Sequence, residues 1–183
     1  MPGMWWALGV VAVAALLSAY LVWTAHRVER VHLRAASAER ALDAHLVRRA
    51  AAAAVVAEQQ DAAELYAAAR LALDAEPGER EAAENDLTRA LQSLPLQPAT
   101  LADAATRTLI ATSRRVVLAR QVHTDLVRDA LTARRRPLVR VLGMARRYPR
   151  PSYFDIEEPA LLTLAPQPVG APPPTPAIPV EAA

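Results

Sequence analysis

The chain has no cysteine and no lysine, and only five glycines and one phenylalanine among its 183 residues. Without cysteine there is no disulfide framework, no thiolate nucleophile and no sulfur ligand for a metal. With so little glycine there is no phosphate-cradling loop, and neither G-x-S-x-G nor H-E-x-x-H occurs. No run alternates β-branched and polar residues, which excludes an obvious sheet. All 21 basic residues are arginine. Set beside the excess of alanine and proline, this reads as coding bias in a GC-rich genome, so the choice of arginine over lysine carries no functional weight.

What remains is rich in alanine, leucine, arginine and glutamate, all good helix formers, and the soluble part reads as all-α. Met4 to Ala25 carries no charge, and a run of that length spans the apolar core of a bilayer. Trp5 and Trp6 stand at one end and Tyr20 and Trp23 at the other, where amphipathic rings favour the headgroup zone. A cleavable signal peptide calls for a basic leader and a small-residue exit, and neither is present. A buried core helix is rarely so long and so free of charge. The run is therefore expected to be a retained transmembrane anchor over residues 1–25. Arg27, Arg30 and Arg34 follow it and no arginine precedes it, so the positive-inside rule places the N-terminus outside and the remainder in the cytoplasm.

Beyond the anchor, Val28, Val31, Ala35, Ala38, Leu42, Leu46, Ala50, Ala53 and Ala57 recur at spacings of three and four, one face of a helix. No glycine or proline interrupts residues 10–76, so anchor and helix are expected to be continuous and to project about 50 Å. Two shorter helices are expected over 61–75 and 79–94, lined by Leu65, Ala69 and Ala72 and by Ala83, Leu87, Leu91 and Leu94. The breakers "EPGE" (76–79) and "PLQP" (95–98) bound them. A fourth helix starts near Thr100 and ends at Pro137, about 55 Å long, lined by Leu101, Ala105, Leu109, Thr112, Val116, Ala119, His123, Leu126, Ala130 and Ala133. Two long and two short helices suggest an antiparallel four-helix bundle over residues 26–158. Such a bundle would return the arginine-rich stretch 133–154 to the bilayer. The tail from Pro159 has eight prolines in 25 residues and is expected to stay extended and unpacked.

Charge is unevenly distributed. Residues 58–86 hold nine acids and two arginines, and residues 107–150 hold twelve arginines and two acids, a dipolar layout hidden by the net charge of +2. Leu138, Val139, Val141, Leu142 and Met144 lie among Arg134, Arg135, Arg136, Arg140, Arg146 and Arg147. That pattern suits either contact with anionic lipid or capping of the bundle core. The arginines also satisfy the charge requirement for nucleic acid, but a docking module is missing.

No residue set points to catalysis, a cofactor or a metal site. His26 and His32 fall on opposite sides of a helix, and His45 is too far along to join them. His123 does not share the face of Asp125 and Asp129. Acids such as Glu81 and Glu84 are expected at the surface.

Three blocks, with the closing stretch, resemble the LemA family of single-span bacterial proteins with a helical-bundle domain. "ALDAHLVRRA" (41–50) is similar to the family's I-D-V-Q-L-K-R-R block through Leu42, Asp43, Leu46, Arg48 and Arg49. "AAENDLTRALQSL" (82–94) resembles A-E-N-x-L-x-x-A-L through Glu84, Asn85, Leu87, Ala90 and Leu91. "ARQVHTDLVRDALTA" (119–133) follows A-R-x-x-Y-N-x-x-V-x-x-Y-N-x-x, although His123-Thr124 and Ala130-Leu131 replace the tyrosine-asparagine pairs. The closing stretch ends in Y-F-x-x-E at Tyr153, Phe154 and Glu157. The resemblance implies a bacterial inner-membrane location and a cytoplasmic helical bundle, with no established catalytic activity.

The function expected is therefore a non-catalytic, membrane-anchored helical module for protein–protein or membrane-surface interaction in the bacterial envelope. Its expected partners are the lipid bilayer and a membrane protein, with an oligomer compatible. The alternatives are an accessory subunit of a membrane protease or transporter, and nucleic-acid binding through residues 133–150.

Overall fold

The computed structural model describes residues 2–94 and 103–154. Within them the chain is all-helical, with no strand. Five helices follow one another: α1 (Pro2–Gln59), α2 (Ala63–Asp74), α3 (Arg80–Ser93), α4 (Ala104–Arg135) and the short α5 (Pro137–Val141). The expected breaker "PLQP", Thr100 and Leu101, Glu157 and the proline-rich tail lie outside the described residues.

α1 is one unbroken helix of 58 residues. It runs from the uncharged segment into the packed domain, as the lack of glycine and proline over residues 10–76 predicts. It is the one helix among the described residues long and apolar enough to cross a membrane. Its apolar end is bare: Trp5 and Trp6 are 76% and 78% exposed, and Leu16 is 71% exposed. A soluble core helix would bury these side chains. Tyr20 stacks on Trp23 with ring centres 6.2 Å apart, and the Arg27 guanidinium lies 5.7 Å from the Trp23 ring centre. Aromatic and cationic groups thus gather at one end of the run, an arrangement suited to a boundary between oil and water.

α1 ends without glycine. Asp61 takes a left-handed φ of 52°, and the Ala62 N–H bonds back to the Ala57 carbonyl at 2.9 Å. This six-to-one bond closes the helix on a residue type that tolerates the left-handed region. At the other long helix, Asp103 accepts a hydrogen bond from the Ala105 N–H at 2.9 Å and caps the start of α4. Pro137 then opens α5 directly behind α4, and Gly143 at φ +63° ends it. There Met144 N–H bonds the Val139 carbonyl and Gly143 N–H the Arg140 carbonyl, a Schellman closure that turns the chain back.

α1 contacts every other helix and packs most extensively on α4. The distal core joins Ala50, Ala53, Val56 and Ala57 to Leu65, Ala69 and Ala72 of α2, Leu87 and Leu91 of α3, and Leu109 of α4. The small side chains on α1 let its neighbours approach closely. Nearer the apolar run, Leu42 and Leu46 meet Val116, with Phe154 packed against them. At the base, Val28 meets Val139 and Ala145. A seam of buried positions on α1 (28, 32, 35, 42, 46, 49, 53, 56), flanked by buried Thr24, Ala50 and Ala57, and the buried positions of α4 (106, 109, 113, 116, 123, 127, 130) follow steps of three and four, or whole heptads.

Candidate functional site

That heptad seam is not purely apolar. On α1 it includes His32 and Arg49, and on α4 it includes Thr106, Ser113 and His123, all nearly fully buried. Two polar centres result.

The distal centre is an ion pair. Arg49 on α1 and Glu84 on α3 are both 0% exposed, and the Arg49 Nη2 donates to the Glu84 carboxylate. The same nitrogen lies 3.2 Å from the Glu84 carbonyl oxygen and 3.1 Å from the Thr88 hydroxyl. The Thr88 hydroxyl in turn donates to the Glu84 carbonyl at 2.8 Å. Just outside, Arg80 Nε stands 3.0 Å from Asp43 Oδ1. Burial pushes the Glu84 carboxyl above its ordinary value, while Arg49 and then Arg80 pull it back part of the way. Glu84 is thus a core residue, contrary to the expectation of a surface acid. It lies three residues before Leu87 on the face that α3 buries. Its charge is tolerated there because Arg49 occupies the facing seam position. The signal was present in the heptad register: both charges stand where an apolar residue belongs.

The proximal centre lies between α1, α4 and the extended segment after α5. His32 is 5% exposed. Its Nδ1 is 2.8 Å from the Val28 carbonyl, so it carries the proton, and Nε2 accepts from Arg134 Nη1 at 3.2 Å. The same Arg134 nitrogen lies 3.1 Å from the Tyr148 carbonyl oxygen and 3.3 Å from that of Pro149. The Tyr148 ring stacks on His32 at 5.0 Å. Arg134 therefore ties the returning extended segment to α1. Beside it is a cavity of about 350 Å³, lined by His32, Glu39, His123, Val127, Tyr148 and Arg150 among others. His123 is 4% exposed and its Nδ1 has no partner among the described residues. Burial pushes its imidazole below the ordinary value, and Glu39 opposes that shift.

The other expected residues fall as follows. His26 is exposed with Nδ1 3.4 Å from Glu29, while His32 is buried, so the two point apart. Asp125 and Asp129 are exposed and do not converge with His123. No group of three or more histidine or acidic side chains among the described residues could hold a metal. The arginines of 134–147 separate: Arg134 is committed inward, whereas Arg135, Arg136, Arg140, Arg146 and Arg147 are exposed. The apolar residues between them separate too. Val139, Met144 and Ala145 pack against Val28, and Leu138, Val141 and Leu142 face outward. The expected lining of α4 is displaced by one position at three places, with Thr106, Ser113 and Val127 buried in place of Ala105, Thr112 and Leu126. No family model, curated protein or solved structure matches the chain.

Proposed function

We propose that the chain is a single-pass, membrane-anchored helical module with no catalytic chemistry of its own. It holds an interaction surface at the cytoplasmic face of a bacterial inner membrane, with the N-terminus outside. The observation that carries this reading is the unbroken passage of α1 from a bare apolar run into a packed domain. A rigid connection of this kind fixes the height and facing of the domain over the bilayer. Arg27, Arg30 and Arg34 directly after the run support the orientation.

In this reading the domain is an antiparallel four-helix bundle. The contacts of α1 with α4 and α5 support it, because Leu42 and Leu46 meet Val116, His32 meets Arg134 and Val28 meets Val139. Partners later in the chain sit progressively nearer the anchor. The LemA resemblance belongs to the same proposal. Its first two blocks meet in space through Arg49 and Glu84, which gives a packing reason for an arginine and a glutamate at those two motif positions. Against nucleic acid, Arg134 is occupied internally, and the exposed arginines stand at the membrane end.

Impermeant maleimide on intact cells tests the topology, using single cysteines placed at Gly3 and at Gln59 in the full chain. Labelling of Gly3→Cys in intact cells, and of Gln59→Cys only after lysis, is the expected result. The reverse pattern overturns the orientation.

A further inference from the structure

Thr24 belongs to the uncharged run, yet it is only 6% exposed. Four residues on, Val28 is 2% exposed against Val139 and Ala145. α5 contacts α1, and Val28 lies only about 4.5 Å past Ala25 along the helix axis. The base of the domain therefore overlaps the last turn of the run, at the level of the Tyr20–Trp23–Arg27 stack.

At that level the domain turns an apolar edge outward. Val141 is 84% exposed, Leu142 51% and Leu138 37%. Their position follows from the backbone. Pro137 starts a new helix immediately behind α4, and the left-handed Gly143 reverses the chain after Leu142. Met144 and Ala145 are thereby folded down on Val28, and Val141 and Leu142 are left at the turn. A Cβ at Gly143 would in addition come within 3.2 Å of Arg146 Cδ. Exposed Arg136, Arg140, Arg146 and Arg147 surround the edge.

We infer that α5 and its turn form a second membrane contact, a foot that inserts Val141 and Leu142 among anionic phospholipids while the surrounding arginines bind their phosphates. The inference rests on the reading of α1 as a membrane span. The occupant is lipid because the span brings it there. Apolar side chains ringed by cations, lying beside the end of a transmembrane helix, match the chemistry of an anionic headgroup layer over acyl chain. The buried half of the same segment explains why the foot cannot swing away freely: Val139 and Ala145 pin it to Val28.

The absence of cysteine makes the test direct. Single cysteines at Leu17, Val141 and Leu118 of the full chain are labelled with an environment-sensitive fluorophore. The protein is then reconstituted in vesicles of phosphatidylcholine, with or without phosphatidylglycerol, containing lipids spin-labelled on the upper acyl chain. Expected are strong quenching at Leu17→Cys and at least threefold more quenching at Val141→Cys than at Leu118→Cys. The Val141→Cys signal should fall at least twofold without phosphatidylglycerol, or when Arg136, Arg140, Arg146 and Arg147 become glutamine. Quenching at Leu17→Cys with none at Val141→Cys overturns the foot and leaves the span intact. No quenching at Leu17→Cys overturns the span itself. Equal quenching at Val141→Cys with and without anionic lipid overturns the anionic contact.

Discussion

Around Ala50–Ala57 the domain is enclosed by α2, α3 and α4. Between Val28 and Leu46 it is two long helices with an irregular segment, residues 148–154, laid across them. The distal region fills its interior with alanine and leucine and concentrates its polarity in one ion pair, Arg49–Glu84. The proximal region distributes polarity along the seam, through His32, His123 and Arg134, and borders a cavity. The distal pair has no solvent to turn to, so each charge depends on the other. The proximal groups hold a segment that supplies only two carbonyl oxygens, one stacked ring and, further along, Phe154. One region is built to stay shut and the other is fastened by contacts that can be released singly.

Breaking the distal ion pair should have the largest effect. Glu84→Leu leaves Arg49 buried and unpaired and is expected to cost about 3–5 kcal/mol, read as a lower urea midpoint for the full chain in detergent. Arg49→Met together with Glu84→Leu should recover most of that loss. If the double variant is no more stable than Glu84→Leu, unpaired charge is not the cause.

Phe154→Ala removes the apolar contact of segment 148–154 with Leu42, Leu46 and Val116, and about 2 kcal/mol is expected from the area exposed. Hydrogen exchange should rise in 148–154 and stay unchanged in 50–57 and 65–72. A uniform rise across both regions would dissolve the distinction between them.

Acid should loosen the proximal region through His123. Burial holds the folded His123 value below 6.5, so the neutral ring favours the closed state. Its contribution is complete above about pH 6.5 and is lost as pH falls from there through the folded value, because the open state takes up the proton first. Exchange in 116–134 and 148–154, taken relative to the intrinsic amide rate that acid itself slows, is expected to quicken between pH 7.5 and 5.5, with His123→Gln flattening that dependence. Acceleration that survives in His123→Gln assigns the effect elsewhere.

The smallest effect has the opposite sign. Asp61→Gly relieves a left-handed residue at the α1–α2 turn and is expected to add about 0.5 kcal/mol, measured as a higher urea midpoint.

Much of this architecture was legible in the residues because it depends on breakers and periodicity. The continuity of α1, the "EPGE" separator and the end of α4 at Pro137 all follow from where glycine and proline stand. The polar seam was harder to see. A stripe read as apolar passes over Arg49, since Ala50 beside it also fits, and it takes Leu126 where Val127 is buried. Only the facing helix decides which neighbour points inward. Asp61 as a helix terminator was hidden for a related reason: its φ comes from the chain's need to reverse, and the residue type only tolerates it. The division of residues 138–145 into a buried and an outward set likewise depends on Val28, more than a hundred residues earlier.

The length of α1 has a mechanical consequence. From Ala25 to Gln59 the helix extends about 50 Å without a hinge, so in the proposed membrane-anchored arrangement a tilt of about 10° sweeps its far end through roughly 9 Å. Spans tilt when the bilayer becomes thinner or thicker. The acid-rich residues 58–86 at that end would then move as the pointer of a lever whose fulcrum is the helical turn around Thr24 and Val28. Bilayer thickness, a property with no binding site, could be read by a partner as the position of a charged surface.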